Sequence, residues 1–339
     1  MAPGVKKLRR LQMGKESTGG TAVAATARWR GGGTLKDALE VLEVDEDLGI
    51  LGGVDRTVIT KLLAGLDLAP VVATFQQVQY LPVLAYAGPV TGAADGPGTD
   101  KIYTTNIPTT ALPTLTPYTF EGGDSFEVER MEYAVATKMN FKGEVGGALM
   151  MSGSLLGRQI QRLVSGFTGA LTIPTVEDIV VNKGKLYLDA IGGSYGTTQI
   201  AQQIIGIDIT HDITIIPQFT MDGQLYYSFP QYVDHKVTGK ITFLHDAAAS
   251  GNAGAKADWR AQTPKKLRVD FIGSNVATPG TTYSQQHFIM DLPVKWKVIS
   301  PLDDKNGVDI VTAEFRSRYD QTAGDAGKFI AVFEAAALP

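Results

Sequence analysis

From Phe126 to Gly143 apolar and polar positions alternate almost without a break. Met131, Tyr133, Val135, Thr137, Met139 and Phe141 fall on one side. Glu132, Ala134, Ala136, Lys138, Asn140 and Lys142 fall on the other. A period of two predicts an antiparallel strand with one buried and one wet face. The run outlasts the usual five or six residues, which suits a strand that builds something with its neighbours. Phe126 and Val128 are out of phase with Met131 onward, so a β-bulge is expected near Arg130. Glycines between Gly143 and Gly147 give a turn, and Ala148 to Gln161 returns as the second strand of a hairpin.

The same style fills the second half. Strands are expected at Lys185–Ile191, Ile204–Pro217, Lys236–Leu244, Lys266–Ile272, Phe288–Val298, Asp309–Tyr319 and Lys328–Phe333. Asp222-Gly223 and Asn306-Gly307 are hairpin-turn signals. Helical spacing is rarer. Thr34 is placed to cap a short helix with Leu35, Leu39 and Leu42 on one face, ended by Leu48 to Gly53. Thr57 to Val72 leans to strand. Phe75 to Ala87 is the best helix after it, with Thr74 as cap and Pro82 kinking or shortening it. Ala247 to Thr263 reads as a loop and a short helix around Lys256 to Ala261.

These patterns predict a mainly β chain in two similar halves, each with about one helix. Residues 1–34, rich in small residues and without period, read as an extended N-terminal arm. Residues 35–172 form a first β domain, and residues 173–339 a second. Within the first, residues 88–124 make a long Gly-, Pro- and Thr-rich loop with short strands at Lys101–Thr105 and Pro117–Phe120. Loops of that length are usually functional or disordered.

Composition narrows the function. The 339 residues are 44% hydrophobic and 19% charged, which places them among folded globular chains. No apolar run reaches the length of a membrane span, and the N-terminus lacks the apolar core of a signal peptide. There are no cysteines, which excludes disulfides and thiolate chemistry. A net charge of -4 argues against a protein that grips nucleic acid over its whole surface. The charges are nevertheless sorted. Lys6, Lys7, Arg9, Arg10, Lys15, Arg28 and Arg30 lie early. Asp37, Glu40, Glu43, Asp45, Glu46 and Asp47 follow. A basic arm beside an acidic patch fits either a head-to-tail contact between copies or two solvated faces.

Candidate chemistry is thin. Gly192 to Gly196 matches the G-x-S-x-G nucleophile elbow around Ser194, but the alternating strands and helices of an α/β-hydrolase, with an acid and His287 downstream, are missing. A chance match in a hairpin turn is the better reading in a chain with 38 glycines. His211-Asp212 and His245-Asp246 lack the converging third ligand of a metal site. Met13 to Ser17 lacks the first glycine of a phosphate loop, and Glu43, Asp45 and Asp47 lack the central glycine of a calcium loop. Trp29, Trp259 and Trp296 fit core or interface anchors. The chain is therefore read as a non-enzyme with no cofactor and no metal. Exposed strand edges are a hazard that pairing with the next copy removes, so self-assembly is expected.

Three stretches carry a family likeness. Leu11 to Ala22, the hairpin Tyr133 to Arg158 with its closing Gly153 to Arg158, and Gly307 to Asp320 resemble the tail tube (major tail) proteins of long, non-contractile-tailed bacteriophages. The resemblance implies β-sandwich or β-barrel units with a flanking helix, and inner-barrel strands shared between copies. It implies rings stacked into a tube in the virion tail through which genomic DNA leaves. Some members are tandem and form trimeric, pseudo-hexameric rings; others form hexameric rings. The two-halved pattern here favours the tandem form. Partners implied are further copies, a tape measure, a terminator and transiently passing DNA, with no membrane and with assembly in the host cytoplasm. On this reading Glu132, Lys138, Asn140 and Lys142 face the lumen. Lys6, Lys7, Arg9, Arg10, Lys15, Arg28, Arg30, Asp45, Glu46 and Asp47 serve contacts between copies or rings, and the loop 88–124 reaches a neighbouring ring. The alternatives are a serine hydrolase using Ser194, or another phage β-protein such as a capsid, tail-terminator or baseplate component.

Overall fold

The computed structural model describes the chain except for residues 1–4, 50, 52–55, 125, 246–251 and 339. The helix end expected at Leu48–Gly53 and the loop expected from Ala247 therefore fall partly outside the described residues. After a 3-10 turn at Lys6–Leu8 come β1 (Arg10–Lys15), β2 (Ala27–Trp29), β3 (Gly33–Glu43) and β4 (Thr57–Val72). Helix α1 (Tyr80–Tyr86) precedes β5 (Ala93–Ala94), β6 (Lys101–Asn106), β7 (Tyr118–Gly123), β8 (Val128–Glu144), β9 (Met150–Gly157) and β10 (Ile160–Arg162). The second half holds β11 (Gly184–Ala190), β12 (Ile204–Gln218), β13 (Phe229–Leu244) and α2 (Asn252–Ala261). It closes with β14 (Lys265–Asn275), β15 (Gln285–Ile299), β16 (Asp303–Lys305), β17 (Val308–Ser317) and β18 (Lys328–Phe333). The protein is mainly β, and the named strands join in one antiparallel hydrogen-bonded network.

The two halves are wired alike. In the first, β3–β4–β9–β8 pair in that order, and the N-terminal part of β8 also lies between β7 and β10, with β1 outside β7. In the second, β12–β13–β17–β15 pair in order, and the N-terminal part of β15 lies between β14 and β18, with β11 outside β14. Helix α1 packs on β8, and α2 packs on β15. Two irregularities coincide too. The β3–β4 ladder skips Thr60 opposite Glu40 and Val41, and β12–β13 skips Val233 opposite Thr214 and Ile215. The β8–β9 ladder skips Thr137, and β15–β17 skips Lys297. Aligning the ladders puts Thr60 on Val233 and Thr137 on Lys297. Other shifts lack a counterpart: Ala69–Pro70 in β4, Glu132–Tyr133 in β8, the shift between Ile204 and Gly206 in β12, and that between Ile272 and Asn275 in β14.

The halves meet edge to edge: Lys138–Glu144 of β8 pair with Asp212–Gly206 of β12. A second stitch, β6 to β18, also crosses between them. One apolar core runs through both, including Phe141, Phe243, Phe271, Phe288, Phe315 and Phe329, all 0–1% exposed. Phe141, Phe288 and Phe329 lie with ring centroids 5.3–6.4 Å apart.

Four local expectations need correction. Residues 33–43 are strand, not a capped helix. Leu35 and Leu39 share a face under either period, and the sixteen-residue partner β4 offers a full ladder of backbone bonds that a short helix lacks. Residues 10–15 and 27–29, read as free arm, are strands that bury Leu11, Met13 and Trp29 and pair to β7 and to each other. Helix α1 begins at Tyr80, with no side-chain cap; Pro82 sits in its first turn, where a missing N–H is harmless. The bulge in β8 falls at Glu132–Tyr133 and not at Arg130, and Tyr133 takes φ of 56°. Together with the skip at Thr137 this turns the strand twice. Ala134 and Ala136 are buried, whereas Tyr133 and Thr137 are only half-buried; the regular alternation holds from Met139 onward. The turn signal at Asn306-Gly307 forms a two-residue hairpin with both φ positive (56° and 79°).

Candidate functional site

The polar face of β8, β12, β13 and β17 is a lattice of opposite charges. Across the ladder, Lys142 stands opposite Asp208, Asp208 opposite Lys240, and Lys240 opposite Glu314. Four positions along, Lys138 faces Asp212 and Asp212 faces Lys236. Asn140 donates from Nδ2 to Asp208 Oδ1 (2.7 Å) and to Thr210 Oγ1 (2.8 Å). Lys142 Nζ lies 3.7 Å from Asp208, Lys138 Nζ 3.8 Å from Asp212, and Lys240 Nζ 2.8 Å from Glu314. The Glu314 contact raises the Lys240 pKa above its usual value. The opposite side of the same strands carries Met139, Phe141, Ile209, Val237, Ile241 and Phe315, all buried. Alternation thus makes one dry and one wet surface from the same residues.

Of the four residues expected on this face, Lys138, Asn140 and Lys142 lie on it together. Glu132 does not. It is 6% exposed and accepts from Gln159 Nε2 at 2.9 Å, because the bulge at Tyr133 turns it inward. Beside it Glu16 accepts from the Tyr133 and Gly20 N–H groups and from the Thr119 hydroxyl, and burial holds its pKa up.

The β3–β4 hairpin is the second notable surface. Leu39, Val41, Leu42, Val58 and Ile59 on it are 44–55% exposed, and Leu42 stands opposite Val58. Asp45, Glu46 and Asp47 lie just beyond β3, with Glu46 bound to Arg56 at 2.5 Å. Lys6 and Lys7 form the exposed 3-10 turn. Lys6, Arg9 and Arg10 line an open cleft of about 580 Å³ with Glu127 and Glu129. Arg10 stacks on Phe167 (3.9 Å), and Arg30 donates to the Pro174 carbonyl. Lys15 ends β1 and Arg28 lies in β2. The basic residues are therefore spread over several elements, not gathered on one arm. The apolar hairpin edge was missed in the sequence because Leu39, Leu42 and Leu35 mimic helical spacing. The alternation of Leu39, Val41 and Glu43 was the available signal.

Ser194 sits in the turn after β11, where Asp189 accepts the N–H groups of Gly196, Thr197 and Thr198. The histidines have other work. His211 meets Tyr86 Oη (3.0 Å), His235 meets Tyr232 Oη (2.7 Å), and His287 meets Asp270 (2.8 Å). Burial drives His211 down to a pKa of about 3. Among the described residues no group of three His, Cys, Asp or Glu converges as a metal site.

The sequence matches the family model for phage tail tube protein over residues 7–317. The chain belongs to that family. The tube protein is accordingly a structural component of the virion tail that polymerises into a tube with other tail proteins. Nothing in that role calls on Ser194. Compared with curated proteins, the sequence matches none.

Proposed function

We propose that this tube protein carries two tandem tube units and closes as a trimeric, pseudo-hexameric ring, rings then stacking into the conduit for genomic DNA. The carrying observation is the repeated wiring of the two halves, with two matched pairs of skipped residues. On this reading one unit spans β1 to β10 and the other β11 to β18, with the division near residues 172–173. Each unit gives the run of eight, β3–β4–β9–β8–β12–β13–β17–β15, one half of its strands.

Three copies would supply about twenty-four strands. At ~4.8 Å spacing and ~40° tilt, such a barrel is roughly 50 Å across between backbones, leaving a bore wider than a DNA duplex after side chains. On this reading the face with Lys138, Asn140, Lys142, Asp208, Asp212, Lys240 and Glu314 lines the lumen. Its lysines are matched by carboxylates, which limits their hold on phosphate and suits passage. The far end of the β3–β4 hairpin, with Leu42 and Val58, serves contacts between rings, its acidic end toward the basic Lys6, Lys7 and Arg9 of the next. Assembly in the host cytoplasm, with a tape measure and a terminator setting length, completes the reading.

Negative-stain microscopy of the concentrated protein tests it. The expected result is hollow tubes of uniform bore whose rings show six lobes and threefold power. Closed shells, or monomers at every concentration, overturn it.

A further inference from the structure

The join between the halves is a template for a join between copies. Inside the chain, the C-terminal part of β8 pairs with β12. The counterparts in the repeat are the C-terminal part of β15 and the whole of β3. β15 is bound by β17 on one side there, and its pairing with β14 stops at Val294. Among the described residues β3 pairs with β4 alone. Both are edges, and their side chains show what is missing. Ile213 and Ile215 of β12 are 4% and 8% exposed, whereas their ladder counterparts Leu39 and Val41 are 52% and 50% exposed. Val298, the counterpart of Lys138, is 43% exposed.

We propose that β15 of one copy pairs antiparallel with β3 of the next, in the register the internal join uses. Asp212 opposite Lys138 becomes Ala38 opposite Val298, and Thr210 opposite Asn140 becomes Lys36 opposite Ser300. The inference rests on the tube reading and adds to it the partner strand, its direction and its register. The occupant is a second copy of this chain, because the internal join already shows that the two edge types fit one another. Backbone bonds lacking at both edges are then completed, and the apolar β3 face is covered by the neighbour's core and α2, as α1 and its Tyr86 cover His211 inside the chain. The new join is less charged. It replaces the Lys138–Asp212 ion pair with the apolar Ala38–Val298 pair and puts Thr34 where Asp208 meets Lys142 and Asn140, so salt should loosen it less.

The chain has no cysteine, so engineered pairs report cleanly. Directly opposed strand residues lie within disulfide reach. Ala38→Cys with Val298→Cys, oxidised under tube-forming conditions, is expected to give a ladder of cross-linked species ending at trimer on a non-reducing gel. Lys138→Cys with Asp212→Cys is the internal control and is expected to lock within one chain at monomer mobility. In the unaltered protein, the alternate amides of residues 33–39 and 295–299 that point away from β4 and β17 should exchange freely in the monomer and become protected in tubes. Tubes with reduced cysteines and unprotected amides at both edges overturn the proposed join while leaving the tube reading standing. Absence of tubes at every concentration overturns the tube reading, and with it the join.

Discussion

β12 and β3 hold equivalent places in the two halves, yet one is core and the other is surface. β12 is flanked by β13 and β8, and its inward residues Ile209, His211, Ile213 and Ile215 are buried. Among the described residues β3 pairs with β4 alone, and its equivalents are largely exposed. The ladders are the same; the neighbour is what differs. Burial of a strand residue is thus set by the edge it meets, not by its own pattern, and a subunit with one satisfied and one open edge of the same kind is built to repeat. The strongest way to sharpen this contrast is to truncate both equivalents. Ile213→Ala should cost about 2–5 kcal/mol of stability by denaturant melting, from lost transfer energy and a cavity. Leu39→Ala should shift the unassembled monomer by no more than about 0.5 kcal/mol. Equal losses would mean that Leu39 is already covered within one chain.

The contrast extends to pH. Position for position, His211 on β12 answers to Asp37 on β3, and only the former is sealed inside. Burial depresses the folded pKa of His211 to about 3. Above the unfolded value of ~6.5 both states hold the imidazole neutral, and its full contribution to stability is present. As pH falls below that value the unfolded chain takes up a proton that the folded chain refuses, and stability declines until the folded pKa is reached. Between pH 6.5 and 4.5 the loss should be about 2–3 kcal/mol. Melts at stepped pH should show it, and His211→Gln should flatten the slope. An unchanged slope in the variant would place the titration elsewhere, with His235, whose pKa burial also lowers, as the next candidate.

Much of the fold was legible because alternation is a local signal. The strands of the second half, the hairpin around Gly143–Gly147 and the Asn306-Gly307 turn stand where their residue types put them. What failed was context. Residues 33–43 spaced their leucines like a helix, and only the long partner β4 made them a strand. Residues 10–15 looked like arm because their partner, β7, lies more than a hundred residues away. Glu132 kept the right parity for the wet face, but a bulge at Tyr133 turned it into the interior. The likeness of the two ladders was illegible in side chains, since Asp208 answers to Thr34 and His211 to Asp37. Lys138, Asn140 and Lys142 were found because no bulge separates them.

A smaller effect is expected beyond the shared part of the ladder. Leu42 and Val58 face one another on the projecting hairpin, 55% and 47% exposed. Leu42→Ser with Val58→Thr should leave the monomer melt within about 0.5 kcal/mol and raise the concentration needed for tubes about tenfold, or ~1.4 kcal/mol. Sedimentation of tubes against total protein measures it. Unchanged tube assembly would remove the hairpin from the contacts between rings.

The smallest effect belongs to the ion pairs of the internal join. Lys138 and Asp212 lie 3.8 Å apart with about half of each side chain in water, so solvent and salt screen most of their attraction. A double-mutant cycle with Lys138→Ala and Asp212→Ala should return no more than about 0.5 kcal/mol of coupling. Their arrangement matters for a different reason. Asp208→Asn with Asp212→Asn removes the two carboxylates directly opposite Lys138, Lys142, Lys236 and Lys240, leaving Glu314, Glu144 and Asp234 among the nearby acids. Assembled tubes of that variant should then retain duplex DNA at low salt and release it as salt rises, where unaltered tubes retain little. A coupling above about 2 kcal/mol would mean that the pair is far drier than its exposure indicates. Equal retention by both kinds of tube would mean that these carboxylates do not mask the lysines from phosphate, and that the face does not meet the passing duplex.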